Sequence, residues 1–327
     1  MKIFSAACLL VCASVTPAMS DTSPDKLHEI EHFFEDASIV SGPIIADCTL
    51  SRGTKTQCFS ITVKATPKAY TPGPWCPTSI NDDADKGGIW LNDNTMRKVD
   101  GAFIKNLAML YNDDKWQLFN PSSGKVNVTD SKASCEAAAR PDVDPAYNNY
   151  CVQCLPEYMS DDATMTYVIP LEPQRTWWWW TNRTNESGSG IAYNGIRLDG
   201  PAPVEDILAA HTIAPFDRCG GHVNTHVGYH YHAVTDCLSD AEVKSEHAAQ
   251  IGIAMDGYKI FSHLLADQSA PTDLDKCNGH ETAGQGYHYH AGEAGSNAIL
   301  RCLRAEAGCV SDDPDRICDA SAPRPRP

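Results

Sequence analysis

One phrase occurs twice in this chain. The first copy runs from Asp217 through Cys219, Gly221, His222, Gly228, Tyr229, His230, Tyr231 and His232 to Ala233. The second runs from Asp275 through Cys277, Gly279, His280, Gly286, Tyr287, His288, Tyr289 and His290 to Ala291. Both fit D-x-C-x-G-H-x5-G-Y-H-Y-H-A without a gap, and all ten matched positions are offset by 58 residues. Such register is the mark of two copies of one structural unit carrying one chemistry.

An alternating aromatic and histidine run between glycines predicts a short strand. Residues two apart on a strand share a face. His230 and His232 therefore point one way and Tyr229 and Tyr231 the other, and the same holds for His288 and His290 against Tyr287 and Tyr289. Two imidazoles on one face can chelate one cation. His222 and His280 precede their pairs by the same spacing, across a glycine-containing turn that folds the chain back. Each unit thus offers three imidazoles, a donor set suited to zinc or copper. Asp217 and Asp275 are candidates for holding imidazole tautomers from behind, or for adding a carboxylate ligand. Ten of the twelve histidines lie between His211 and His290. His226 has no counterpart in the second unit, where Gly284 stands, and reads as structural. The competing reading of both clusters is packing, with each imidazole bonded to a carbonyl or carboxylate.

The duplication begins upstream of the histidines. Ile191-Ala-Tyr-Asn194-Gly195-Ile-Arg-Leu198 parallels Ile253-Ala-Met-Asp256-Gly257-Tyr-Lys-Ile260. Asn-Gly and Asp-Gly between β segments are strong hairpin signals. Each unit is therefore expected to run hairpin, connection, Asp-x-Cys-x-Gly-His loop, Tyr-His-Tyr-His strand. Pro203 to Ala210 predicts a short helix in the first connection. Ser239-Asp-Ala-Glu242 is a capping box opening another toward Gln250.

Residues 1–20 read as a secretory signal: Lys2, an apolar run from Ile3 to Val15, and Ala18-Met-Ser20 as the small-residue exit. Cleavage near Ser20 would send the chain to the periplasm or outside the cell. Fourteen cysteines fall to twelve without that segment, an even number suited to disulfides in an oxidising compartment. Cys48 and Cys58 can bridge a hairpin. Cys151-x-x-Cys154 lacks a thioredoxin-like setting and reads as parts of separate disulfides. The remaining pairing is open. The net charge of −16 disfavours nucleic acid and anionic membrane as partners, and no later run is long and apolar enough to span a bilayer. An unknown small molecule or polymer remains as the partner class, and the oligomeric state is unspecified.

Elsewhere, Ser23-Pro24 with Leu27, Ile30, Phe33 and Phe34 predicts an amphipathic helix; His28 and His32 on it read as solvated. Residues 38–72, Ile89–Leu91, Ala102–Ile104, Trp116–Phe119, Tyr167–Leu171 and Ile299–Cys302 read as strand segments. Trp177 to Trp180 is either a packing strip or an aromatic platform for a ligand. Asn127-Val-Thr129, Asn182-Arg-Thr184 and Asn185-Glu-Ser187 match the glycosylation triplet.

The expected fold is mainly β, a sandwich or barrel with short helices and an internally duplicated C-terminal half, stapled by disulfides. The expected division is a signal peptide (1–20), an N-terminal β-rich region (21–180), the duplicated domain (181–310) and a disordered tail (311–327).

The segments 228–232 and 286–290, Ile251 to Ile260, Asp273 to His280 and the later Cys302 resemble the YHYH-domain proteins, an exported bacterial family named for that signature. The resemblance spans roughly residues 85 to 305 and implies an export compartment and a folding unit at 253–302, but no reaction. Gly228-Tyr-His-Tyr-His232 also resembles, locally, the Gly-aromatic-His-x-His copper strand of copper-zinc superoxide dismutase, without the other ligand segments.

Three functions follow as expectations. The first is a secreted metal-binding protein using the two triads, with the duplication bringing them to a two-metal or shared site and an open position permitting catalysis. The second is a non-catalytic binding or structural module with structural histidines. The third is a metal-independent hydrolase, for which a Gly-x-Ser-x-Gly elbow is missing.

Overall fold

The structure is a computed structural model that describes residues 23–140, 142–175, 177, 181–182, 184, 188–239, 247–312 and 319–322. The candidate signal segment, most of the tryptophan run, the Ser239–Glu242 capping box and the end of the tail lie outside the described residues, apart from Ser239 and Trp177, the latter 73% exposed.

A first helix, Ser23–Phe33, buries Ile30 and Phe33, with Phe34 just beyond it. The strands that follow are β1 (Ile39–Thr49), β2 (Lys55–Lys64), β3 (Ile89–Asn92), β4 (Thr95–Lys98), β5 (Thr164–Pro170), β6 (Gly190–Ala192), β7 (Arg197–Leu198), β8 (Gly221–Asn224), β9 (Gly228–Tyr231), β10 (Gln250–Ala254), β11 (Lys259–Phe261), β12 (Gly279–Thr282), β13 (Gly286–His290) and β14 (Cys309–Ser311). They form a four-stranded sheet in the order β1-β2-β5-β14, an eight-stranded sheet in the order β12-β13-β11-β10-β6-β7-β9-β8, and the β3-β4 ribbon. Phe59, Ile61, Val63, Tyr167 and Ile169 of the smaller sheet share one apolar core with Ile191, Ile251, Tyr229, Tyr231 and Tyr289 of the larger. The fold is thus a mainly β sandwich. Among the described residues the larger sheet ends on β12 and β8 and does not close into a barrel.

The duplication is the plan of the larger sheet. Read outward from its centre, one half is β6-β7-β9-β8 and the other β10-β11-β13-β12. The halves meet where β6 and β10 pair antiparallel, Ile191 opposite Ile253, Gly190 opposite Ala254 and Ala192 opposite Gly252. Ile253 is the repeat equivalent of Ile191, so a pseudo-twofold axis passes through this pair, as in an isologous dimer interface.

The tyrosines of both repeats face the shared core, which turns all the histidines to the other side of the sheet. Beside that side, around the first repeat, sits a loop-rich lobe. Its core joins Cys76, Trp90, Val99, Ile104, Leu107, Trp116, Leu118, Val126, Cys151 and Ile213.

Five disulfides are Cys48–Cys58, Cys76–Cys151, Cys135–Cys154, Cys219–Cys237 and Cys277–Cys302, and Cys309 is also disulfide-bonded. The Cys-x-x-Cys pair is therefore split between two bridges.

Three local expectations fail. Ala102–Ile104 lies in a helix, Gly101–Lys105, because the Asp100 side chain accepts from Phe103 N and caps it. Trp116–Phe119 contributes only an isolated bridge from Phe119 to Val126. Ile299–Cys302 forms no strand, and the last described strand is β14. Among the glycosylation triplets, the Asn127 amide donates to the Gln117 and Asn149 carbonyls and the Asn182 amide to the Ala305 carbonyl, so both are engaged within the fold.

Candidate metal centres

Each centre is built on a hairpin. β8 and β9 pair so that His222 stands opposite His230, and β12 and β13 so that His280 stands opposite His288. Cross-strand partners bring their side chains together on one face, and the next histidine on that face is two residues on. Glycine at Gly221 and Gly279 makes the hairpin possible. A Cβ at Gly221 would lie 2.4 Å from the Tyr229 hydroxyl oxygen, and one at Gly279 would lie 2.2 Å from that of Tyr287. The residue before each, Gly220 and Asn278, is left-handed, with φ of +81° and +66°.

In the second repeat four imidazoles converge: His247, His280, His288 and His290, whose ligand atoms all lie within 4.8 Å of one another. The Nε2–Nε2 distances are 2.9 Å for His280–His288, His288–His247 and His247–His290, and 3.4 Å for His280–His247. The opposite nitrogens are anchored. His288 Nδ1 donates to Gly286 O at 2.9 Å, His290 Nδ1 to Ser262 O at 2.8 Å, and His280 Nδ1 to Asp273 Oδ1 at 2.7 Å. A carbonyl or carboxylate oxygen only accepts, so Nδ1 carries the proton in each of these three rings. Their Nε2 atoms then present bare lone pairs to one another. Burial, with the neighbouring imidazoles adding to it and the Gly286 and Ser262 carbonyls opposing it, brings His288 and His290 down to about 4, so positive charge on the rings is disfavoured. Four nitrogen ligands around a tetrahedral zinc ion stand ~3.3 Å apart at ordinary bond lengths. The observed spacings are close to that.

In the first repeat three imidazoles converge: His222, His230 and His232. His222 Nε2 lies 3.0 Å from His230 Nε2. His230 Nδ1 donates to Gly228 O at 3.0 Å and His232 Nδ1 to Gly200 O at 2.6 Å. The repeats therefore use equivalent carbonyls, Gly228 with Gly286 and Gly200 with Ser262. Burial lowers all three basicities, carrying His232 to about 3 and His222 well below its ordinary value. Phe216 packs against His222 and His232 at 4.9 and 5.1 Å between ring centres.

Asp217 and Asp275 lie on the other face. Asp217 accepts from the Tyr229 hydroxyl at 2.9 Å and from the backbone of Cys219, Gly221 and Gly73; Asp275 accepts from Tyr287, Cys277 and Gly279. They hold the tyrosines and tie the loop, whereas it is backbone carbonyls and Asp273 that hold the imidazoles. The sheet also separates the two centres. β9 and β13 are five strand spacings apart, ~24 Å at the usual interval, so the duplication makes two separate centres rather than a shared one.

Three residues escaped sequence reading. His247 lies outside the repeated phrase, and its only signal was membership of the histidine-rich stretch. Asp273 was passed over for Asp275, which belongs to the phrase. Asp199 stands after β7 with Oδ2 3.9 Å from His230 Nε2 and Oδ1 3.0 Å from the Arg197 guanidinium. Burial raises the Asp199 carboxyl, but Arg197, His230 and His232 outweigh it and hold it below its ordinary value. His226, by contrast, is held among the described residues through its backbone N–H, which donates to Asn224 Oδ1. His211 bonds Asp113 at 2.8 Å.

Among the described residues no helix is long and apolar enough to cross a membrane. No curated protein matches the chain, and no solved structure does. The family model described as "YHYH protein" matches residues 166–273, which takes in most of β5, the whole first repeat with its three histidines, His247 and the β10–β11 pair, and stops before His280. Over residues 166–273 the chain is therefore similar to the YHYH proteins.

Proposed function

We propose that this is an exported metal-binding protein that holds one cation in each of two histidine centres. His222, His230 and His232 are the ligands in the first repeat; His280, His288 and His290, joined by His247, are those in the second. The observation that carries the reading is the fixed tautomers. Imidazoles whose Nδ1–H is spent on an acceptor direct bare Nε2 lone pairs at one another about 3 Å apart, an arrangement that repels unless a cation lies between them. Metal-binding histidines typically donate their second nitrogen in this way. Zinc and copper are the candidates, since both take all-imidazole sets.

Export is supported by the reading of residues 1–20 as a cleavable signal ending near Ser20, by the disulfides and by the family match. A purely structural role for the histidines would keep the carbonyl bonds but would gain nothing from converging lone pairs. Isothermal titration of the metal-stripped, tag-free protein with zinc separates the two readings. Two equivalents bound support the metal reading, and no heat of binding in any of several buffers ends it.

A further inference from the structure

The two centres are not equivalent, and the differences are in the residues around them. The fourth position of the second centre is filled by His247, so four imidazoles enclose the point between them. Here His280, His288 and His290 are 9%, 0% and 0% exposed, and the half-buried His247 closes the remaining side. Phe261 seals the same side, with its ring 5.0 Å from His288. At the repeat equivalent of Phe261 the first centre carries Asp199.

The first centre has three imidazoles and adjoins a cavity of about 240 Å³. His222, His230 and His232 all line it, and Val152, Ala202, Ile207 and Val223 give it apolar walls. Arg197 and Asp199, 3.0 Å apart, neutralise one another beside His230. Closed four-ligand sites serve structure, whereas sites with three protein ligands keep a position for an exogenous one.

We infer that the first centre is the ligand-binding one, its open coordination position facing the cavity and taking a small, apolar-bodied anion with an oxygen donor of the carboxylate or hydroxamate type, while the second centre is a closed staple. This rests on the metal reading above. Three neutral imidazoles leave the charge of a dication uncancelled, which favours an anionic donor. The cavity is below the ~300–1,000 Å³ typical of drug-sized ligands, which sets the small body.

The test is ¹¹³Cd NMR of the metal-stripped, full-length protein reloaded with two equivalents of ¹¹³Cd and titrated with acetohydroxamate. Two resonances are expected, of which one moves with saturable dependence and the other stays fixed. In Ile207→Trp, which fills the cavity without touching an imidazole, both resonances are expected to remain and the response to fall at least tenfold in affinity. Two resonances of which neither moves, or both move, leave the metal reading standing and overturn this assignment. So does an undiminished response in Ile207→Trp. Absence of cadmium from both centres removes the metal reading itself, and this assignment with it.

Discussion

Asp256 and Asn194 occupy the same turn position in the two repeats, and each reaches the second tyrosine of its phrase. The Tyr289 hydroxyl donates to Asp256 Oδ2 at 2.7 Å, while the Asn194 amide donates to the Tyr231 hydroxyl at 2.9 Å. Asp256 is fully buried, and burial carries its carboxyl up to about 6 despite donors from Tyr289, Ala305 and Arg304. Its folded value exceeds its unfolded one of 3.8. Its contribution is therefore complete below about 4 and is lost as the pH rises through about 6. Asp256→Asn, which installs the residue of the other repeat, should gain on wild type by on the order of 3 kcal/mol between pH 4 and pH 7.5. Chemical denaturation of both proteins in matched buffers measures this, and a difference independent of pH contradicts it. Tyr231 also bonds the Tyr70 hydroxyl at 2.7 Å. Tyr231→Phe should cost about 1–3 kcal/mol by leaving the buried Asn194 amide without this acceptor and taking one of the half-buried Tyr70's two hydroxyl bonds, yet leave bound metal unchanged, because the ring lies on the face away from the imidazoles. Loss of metal on this substitution would mean that the two faces are coupled.

At the scale of elements, the hairpins and their facing were legible because strand alternation and an Asn-Gly or Asp-Gly turn are local. Tyr229, His230, Tyr231 and His232 needed no tertiary information to be assigned to two faces. His247 needed the fold. It reaches the second centre from the segment between the repeats, and no spacing rule links it to His288, forty-one residues away. The role of Asp217 was misread for a similar reason. A carboxylate near a histidine in sequence suggested a pairing, but the turn at Cys219 sends it to the tyrosine face. The motif glycine has a sharper consequence. Gly279→Ala would drive a Cβ into the Tyr287 hydroxyl and displace the adjacent His280. It should cost ~2 kcal/mol and weaken cation binding at the second centre alone. Unfolding and metal titration of the variant measure both, and full occupancy of both centres would contradict the hairpin's role.

Over the whole molecule, one sheet face supplies the core of the sandwich and the other carries two centres that the pseudo-twofold axis sets apart. Sequence reading reached the mainly β fold, without choosing between sandwich and barrel, and the grouping of each phrase's histidines, but the distance between centres depended on which strands pair at the middle. Ile191 with Ile253 settled that, and a pairing of β9 with β13 would have merged the two sites. A cation bound only by the folded state adds stability by mass action. Chelator should therefore lower the melting temperature by several degrees, and zinc or copper should restore it. The most direct measurement is the metal content of the exported protein, purified without chelator or histidine tag, by native mass spectrometry. Two cations per chain are predicted, falling to one in His230→Ala/His232→Ala and to one in His288→Ala/His290→Ala. A folded wild-type chain that carries no metal, takes up none, and melts unchanged in chelator would contradict the account.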